Sequence, residues 1–325
     1  MALRSCFART QTWLQAGKYV DALASELPSR NGWAIGERCG DRSPDKAQRL
    51  LNRASWDEDA VMSLVRRHAV AGLDAAAGRG RRRRMTVGAL DETGQEKHGE
   101  STAGVKRQYM GCAGRVANGI NTVRLSYVRE KAGHALAGAR QWIPEEQVKD
   151  PVKALVTGLP LDLRFRTKGE LAIDVLTEAC ADGLSLDFVC GDEVYGSCTR
   201  LREHLEQHGQ AYVLRVASSF TLTVAAGTVM TCADAVKKLL RDSNRWEVRS
   251  AGKGSKGRPL ARLGLARHRL TPPQPAGAPP PEDPRAGLSL LLRPRRPARG
   301  QGPADQGSRP SLASGGVLRV RKGLL

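Results

Sequence analysis

The sequence of 325 residues predicts an α/β protein. A mixed sheet flanked by helices is preceded by an N-terminal helical region and followed by a disordered basic tail. Three observations carry this. Apolar runs of strand length follow one another between residues 85 and 129 with no helical pattern between them. From Thr167 to Val216, helical and strand-like stretches alternate, the pattern of a sheet with helices on its faces. After Trp246 there is no Phe, Tyr or Trp, and twelve of the seventeen prolines lie in 251–325. That segment can bury too little to order itself.

Residues 1–76 read as helical. Ser43-Pro44-Asp45 is a helix start, with Ser43 as N-cap and Pro44 in the first helical position. Ser55 and Glu58 have capping-box spacing, and Val61, Leu64, Val65 and His68 then recur at helical intervals. Between Trp33 and Arg53 lie a short helix, a turn at Gly40 and a helix bearing Lys46, Arg49 and Arg53. This is either a helix-turn-helix that reads DNA or a helical hairpin with a solvated basic face. Residues 77–84, with Arg81, Arg82, Arg83 and Arg84, form a basic linker, phosphate-contacting or merely solvated.

The region 85–250 is the core. Residues 85–90, 105–112 and 120–129 read as a meander of three antiparallel strands. Residues 130–165, with Pro144, Pro151 and Pro160, read as a connection. A helix opens at the capping box of Thr167 and Glu170 and stops at Gly183. Residues 186–190 form a buried strand, 197–208 a helix ending at Gly209, and 212–216 the next strand. An apolar stretch over 221–230, a helix near 232–240 and a strand over 246–249 complete this region.

Net charge is +19, and residues 251–325 hold fifteen Lys and Arg against three acids. The balance favours a polyanionic partner, nucleic acid before membrane. Seven scattered cysteines include no C-x-x-C pair, which points to a reduced, cytosolic chain without structural zinc. No signal peptide is expected from Arg4 and Arg9 near the start, and no apolar run reaches membrane length.

The chemistry lies in two acidic motifs, Asp91-Glu92-Thr93-Gly94 and Gly191-Asp192-Glu193-Val194-Tyr195-Gly196. Each follows a strand-like run and sets a carboxylate at its end. Neighbouring strand ends of this kind can hold Mg²⁺, a hard cation that takes oxygen ligands. In a basic chain the substrate class is a phosphodiester. Asp91 would be a shared ligand and Asp192 a second one; Glu92 and Glu193 would face away, since adjacent strand residues alternate. The alternative is two solvated strand ends. Lys106 and Arg107, in a polar loop entering a strand, are phosphate-contact candidates. His134 reads as a turn residue, Cys190 as a buried strand residue, and His204 with His208 as a surface helix face.

Five segments carry a resemblance. They are Asp91-Glu92-Thr93-Gly94, residues 104–114, Gly133-His134-Ala135-Leu136, Thr167-Lys168-Gly169-Glu170-Leu171 and the motif at 191–196. In this order and spacing they resemble bacterial insertion-sequence transposases of the DDE-superfamily endonuclease group, insertion-sequence family seven-oh-one. The resemblance covers about residues 25–255. It implies a ribonuclease H-like catalytic domain and cleavage and joining of DNA ends with Mg²⁺ (or Mn²⁺). It also implies double-stranded DNA, element ends and target, as partner; Asp91 and Asp192 match the family's acids. A homodimer on DNA and a cytoplasmic, nucleoid-associated, bacterial setting are expected with it.

The departure from the family is equally specific. There, the stretch after residue 257 turns into a Trp/Tyr-rich strand and later a helix with the third acid, a Glu. Here the chain turns to Arg, Pro, Gly, Ala and Leu, and its last Glu, Glu282, sits among prolines, which exclude a helix interior. The expectation is a transposase made inactive by a frameshifted tail. The alternatives are a catalytically dead DNA-binding derivative and a nuclease on the same fold.

Overall fold

The computed structural model describes residues 3–78, 84–224, 228–239, 246–250, 260–270, 287–292 and 316–322. Contacts divide the chain into two units, Met1–Gly72 and Leu73–Leu325.

The first unit is helical: α1 (Thr10–Ala24), α2 (Gly32–Arg38), α3 (Asp45–Asn52) and most of α4 (Glu58–Ala77). Its core joins Ala22, Ile35 and Ala47, with Tyr19, Leu23, Leu27 and Cys39 packed around them. Asn31 caps α2 by accepting the Ala34 N–H. Two helix starts differ from the sequence reading. Helix α4 is capped by Asp57, which accepts the Ala60 N–H at 2.9 Å, and not by Ser55. The preceding Trp56 is held in a bridge to Phe7, their rings stacked 5.4 Å apart, so the chain is still extended there. Helix α3 starts at Asp45 after Pro44, and the Ser43 hydroxyl donates to the Asp45 carboxylate.

The second unit is built on a mixed sheet of β1 (Thr86–Glu96), β2 (Lys106–Met110), β3 (Arg115–Arg129), β4 (Gly133–Trp142), β5 (Phe188–Gly191), β6 (Tyr212–Ala217) and the later β11 (Gly287–Leu292). The strand order is β11-β6-β5-β1-β3-β2, with β4 also on β3. Strands β1, β5 and β6 are parallel; β3 is antiparallel to β1, β2 and β4. The α/β class with a mixed sheet and flanking helices is therefore the one the sequence predicts.

Three details are corrected. The first strands are not a simple meander: β3 lies between β1 and the β2/β4 edge. It is long enough to pair with β2 at one end and β4 at the other. Residues 130–165 are not a bare connection. They contain β4, α5 (Glu145–Lys149) and α6 (Pro151–Thr157). Strand β4 is rich in Ala and Gly, a weak strand signal, and takes its shape from β3. Two of the prolines that mimic loop markers open helices: Pro144 precedes α5, and Pro151 begins α6, where the Asp150 carboxylate caps it, as the first turn permits. Finally, β1 does not end at Asp91 but continues to Glu96.

Helix α7 (Lys168–Ala181) carries the predicted capping box of Thr167 and Glu170 and packs across β3 and β4. Its Ala172, Val175, Leu176 and Ala179 are buried, as are Leu90, Val123, Leu125 and Tyr127 of the sheet. Two short helices, α8 (Glu193–Gly196) and α9 (Thr199–Gln207), lead from β5 to β6. Strands β7 (Thr221–Val224) and β8 (Val229–Thr231) pair antiparallel and precede α10 (Cys232–Leu239). Strand β9 (Trp246–Ser250) follows. Within 251–325, the described residues are β11, β10 (Leu260–Leu270) and β12 (Gly316–Lys322); the rest of the expected tail lies outside the described residues. Strand β10 pairs with β7, β9 and β12 in a second sheet.

Candidate active site

Sheet register brings the two acidic motifs together. In the parallel pair of β1 and β5, Leu90 stands opposite Gly191. Asp91 and Asp192 are the next residue of each chain, at neighbouring positions where adjacent strands run about 4.8 Å apart. The motifs differ in local form. Asp91 sits within β1, at the point where its β5 partner stops. Asp192 follows the last residue of β5 and caps α8, accepting the Val194 N–H at 3.0 Å. Asp91 accepts the N–H of Glu92 at 2.8 Å. Both aspartates are exposed, and neither has an ion pair among the described residues.

The glycines of the second motif follow from packing. A Cβ on Gly196 would lie 1.7 Å from the Arg215 carbonyl oxygen, a backbone atom that cannot yield. Gly196 thus lets α8 lie against β6. The Gly196 carbonyl accepts a hydrogen bond from Arg202, a residue only 2% exposed whose guanidinium carbon lies 4.9 Å from the centre of the Phe220 ring. The turn that carries Asp192 is therefore fixed from both sides.

Behind the aspartates lies a second polar layer. Strand alternation turns Glu92 to the face opposite Asp91, where Lys168 from the start of α7 meets it at 2.7 Å. The Lys168 ammonium also lies 5.4 Å from the centre of the Trp142 ring, an attractive cation–π placement. The Tyr195 hydroxyl and Glu92 Oε1 are buried with no hydrogen-bond partner among the described residues. Burial, then the charges of Glu92, Asp192 and Asp91, push the Tyr195 phenol far above its usual range. It stays neutral. Burial and then Asp91 also raise the Cys190 thiol.

On the exposed face, Arg124 of β3 stands directly opposite Asp91. It is exposed and has no ion pair among the described residues. The sequence reading missed Arg124, although one basic residue on the polar side of an apolar strand is a visible signal. It named Lys168 only within the segment 167–171 that carries the family resemblance. Nothing in the local pattern marks Arg202 as buried.

The other expected contacts are scattered. Lys106 is paired with Glu146 at 2.8 Å, which holds the Glu146 carboxyl below its usual range. Arg107 is exposed on β2. Arg84 precedes β1 and its carbonyl accepts from Arg129; Arg81, Arg82 and Arg83 lie outside the described residues. Lys46, Arg49 and Arg53 are on or just after α3 in the first unit. His134 is an exposed strand residue of β4. The rings of His204 and His208 lie 4.2 Å apart, with His208 Nδ1 against the His204 carbonyl.

Among the described residues, no group of three or more His, Cys, Asp or Glu is placed to hold a metal. Two exposed carboxylates on neighbouring strands nevertheless fit Mg²⁺, which commonly takes one or two carboxylates and completes its shell with water and substrate phosphate.

The pairing of Lys168 with Glu92 has a measurable consequence. Both side chains are about one-fifth exposed, between the surface and the interior. Lys168→Met should cost about 1–3 kcal/mol by leaving Glu92 uncompensated. Lys168→Met combined with Glu92→Gln should recover most of the loss. Equal losses in the single and double variants, by urea denaturation, would show that the charge pair does not matter.

No helix among the described residues is long and apolar enough to cross a membrane. No curated protein matches the chain. The family model described as DDE superfamily endonuclease matches residues 3–238, a span that includes Asp91, Asp192 and all the elements around them. The chain belongs to the DDE superfamily endonucleases.

Proposed function

We propose that this DDE superfamily endonuclease is an insertion-sequence transposase, resembling family seven-oh-one, with Asp91 and Asp192 as its metal-holding acids. The observation that carries the reading is the pairing of Leu90 with Gly191, which sets residues 101 positions apart in sequence side by side. The family implies a DNA substrate. In this reading Mg²⁺ or Mn²⁺, when bound, activates the attacking oxygen and stabilises the leaving one in an in-line displacement at phosphorus.

The residues of the chain divide the remaining work. Asp91 and Asp192 present oxygen ligands toward the exposed side. Arg124 supplies a cation at the same strand position, suited to hold a non-bridging phosphate oxygen. Glu92, tied to Lys168, faces inward and is withdrawn from ligation. Tyr195 stays neutral and closes the inner side of the site. Water and then a DNA 3′-hydroxyl would be the nucleophiles.

The proposal includes a defect. The family match stops at residue 238, and no Glu follows Glu282. In this reading the third acid is missing, because Glu282 sits among prolines, and the tail is the product of a frameshift. The resulting second reading is a DNA-binding protein that engages element ends, as a homodimer on DNA, without cutting them.

Calorimetric titration with Mg²⁺ tests the metal site. With only two protein acids, uptake should be weak in the free chain and tighter with duplex DNA bound, because phosphate oxygens complete the shell. Equal uptake with and without DNA would sink the reading.

A further inference from the structure

The first unit contains a cleft of about 850 Å³ between α1 and α3. Five cations line it: Arg9 and Lys18 from the α1 side, and Lys46, Arg49 and Arg53 from the α3 side. No carboxylate is in the lining. An acid bonded to two of its lining residues is Asp41, whose side chain is only 2% exposed. Lys46 meets Asp41 at 2.7 Å and Gln15 donates to it at 3.0 Å. These bonds, the one from Lys46 foremost, hold the Asp41 carboxyl below its usual range. The Gln15–Asp41–Lys46 chain ties α1 to α3 and fixes the width of the cleft. Arg9, Lys18, Arg49 and Arg53 have no ion pair among the described residues, and all four are exposed.

We propose that this cleft holds the sugar-phosphate backbone of one strand of duplex DNA. The inference rests on the reading of the chain as a DNA-acting protein, and it assigns Arg9 and Lys18, which no sequence motif marks. The cationic edge of α1 is extended: Arg9 and Lys18 are nine residues apart, about 13 Å along a helix. A single phosphate does not span that length. A nucleic-acid strand, which carries one phosphate at every nucleotide, places more than one there.

The same geometry divides the contacts. Phosphate contacts position a protein without reading sequence. Lys46 is committed to Asp41 and to the shape of the cleft. Beside the cleft, Gln48 and Asn52 line a smaller hollow with Asp45, Arg49 and Arg53. Side-chain amides of this kind can pair with adenine edges. The basic residues of α3 therefore grip the backbone, and its amides are left for bases.

The test is fluorescence anisotropy of the full chain on a labelled duplex of scrambled sequence, over a salt series. Arg9→Gln with Lys18→Gln should lower the slope of log affinity against log salt by roughly 1.8 and weaken binding roughly tenfold. The weakening should be the same for any duplex sequence. Arg30→Gln with Arg38→Gln removes equal charge from exposed positions outside the cleft and should leave the slope nearly unchanged. Circular dichroism of both variants verifies folding. If the two double variants weaken binding alike, charge alone matters and the cleft proposal is overturned. If the unaltered chain binds no duplex at all, the DNA reading falls with it.

Discussion

The purified chain, given Mg²⁺ and DNA carrying the ends that flank its gene, should yield no strand-transfer product. A chain recoded in an alternative frame after Gly257 should yield product at least roughly a thousandfold faster. This is the largest effect the proposal entails. Codons made only of G and C encode just Gly, Ala, Pro and Arg. A GC-rich gene read out of frame therefore gives the composition found beyond residue 257. Trp and Tyr disappear there and only three acids remain. An evolved basic tail would account for the charge but not for losing the aromatic strand and the Glu-bearing helix together. A thousandfold corresponds to about 4 kcal/mol of barrier, a reasonable cost for removing one of three acids around divalent metal. Sequencing the gene is decisive: with no frame beyond residue 257 encoding such a strand and helix, the frameshift is wrong. Efficient strand transfer by the present chain would overturn its inactivity.

In that recoded chain, Asp91→Asn and Asp192→Asn should each abolish cleavage, with losses of several orders of magnitude. Amides keep the shape of the carboxylates but not the charge that holds a hard cation. Asn can still accept the N–H bonds now made to Asp91 and Asp192, so the folds of the variants should survive. Glu193→Gln is the comparison. It alters the adjacent acid of the same motif, on the first turn of α8, and should reduce cleavage far less. Cleavage in Mg²⁺, measured beside thermal denaturation, separates the two. If Glu193→Gln is as damaging as Asp192→Asn at equal stability, the ligand has been misplaced within the motif.

The fold class was legible because period and punctuation agree in most of the chain. Thr167 and Glu170 mark α7 correctly, and the apolar run before Gly191 marks β5. What the sequence hid was long-range pairing. Strand β4 has little strand character of its own and is shaped by nine paired positions on β3. The central place of β3 follows from its length, which local patterns do not reveal. Asp91 looked like a strand end because Glu92, Thr93 and Gly94 break the apolar run. In the structure it is β5 that stops, while β1 continues along β3.

The candidate site was half legible in the same way. The two aspartates were visible as motifs after strands. Their juxtaposition required the parallel register, and Arg124 required the antiparallel one. Lys168 was hidden by distance: its partner Glu92 is 76 positions away. The basic cleft was hidden because Lys46, Arg49 and Arg53 suggested a recognition helix. Their facing of Arg9 and Lys18 depends on how α1 lies against α3.

The central claim is that Asp91 and Asp192 share a metal site. It is tested most directly by a crystal structure of the chain with duplex DNA and Mn²⁺, the ion located by its anomalous scattering. The account predicts an Mn²⁺ ion touching both carboxylates, with DNA phosphate oxygen in its shell. Carboxylates more than about 10 Å apart, or manganese bound only elsewhere, would contradict it.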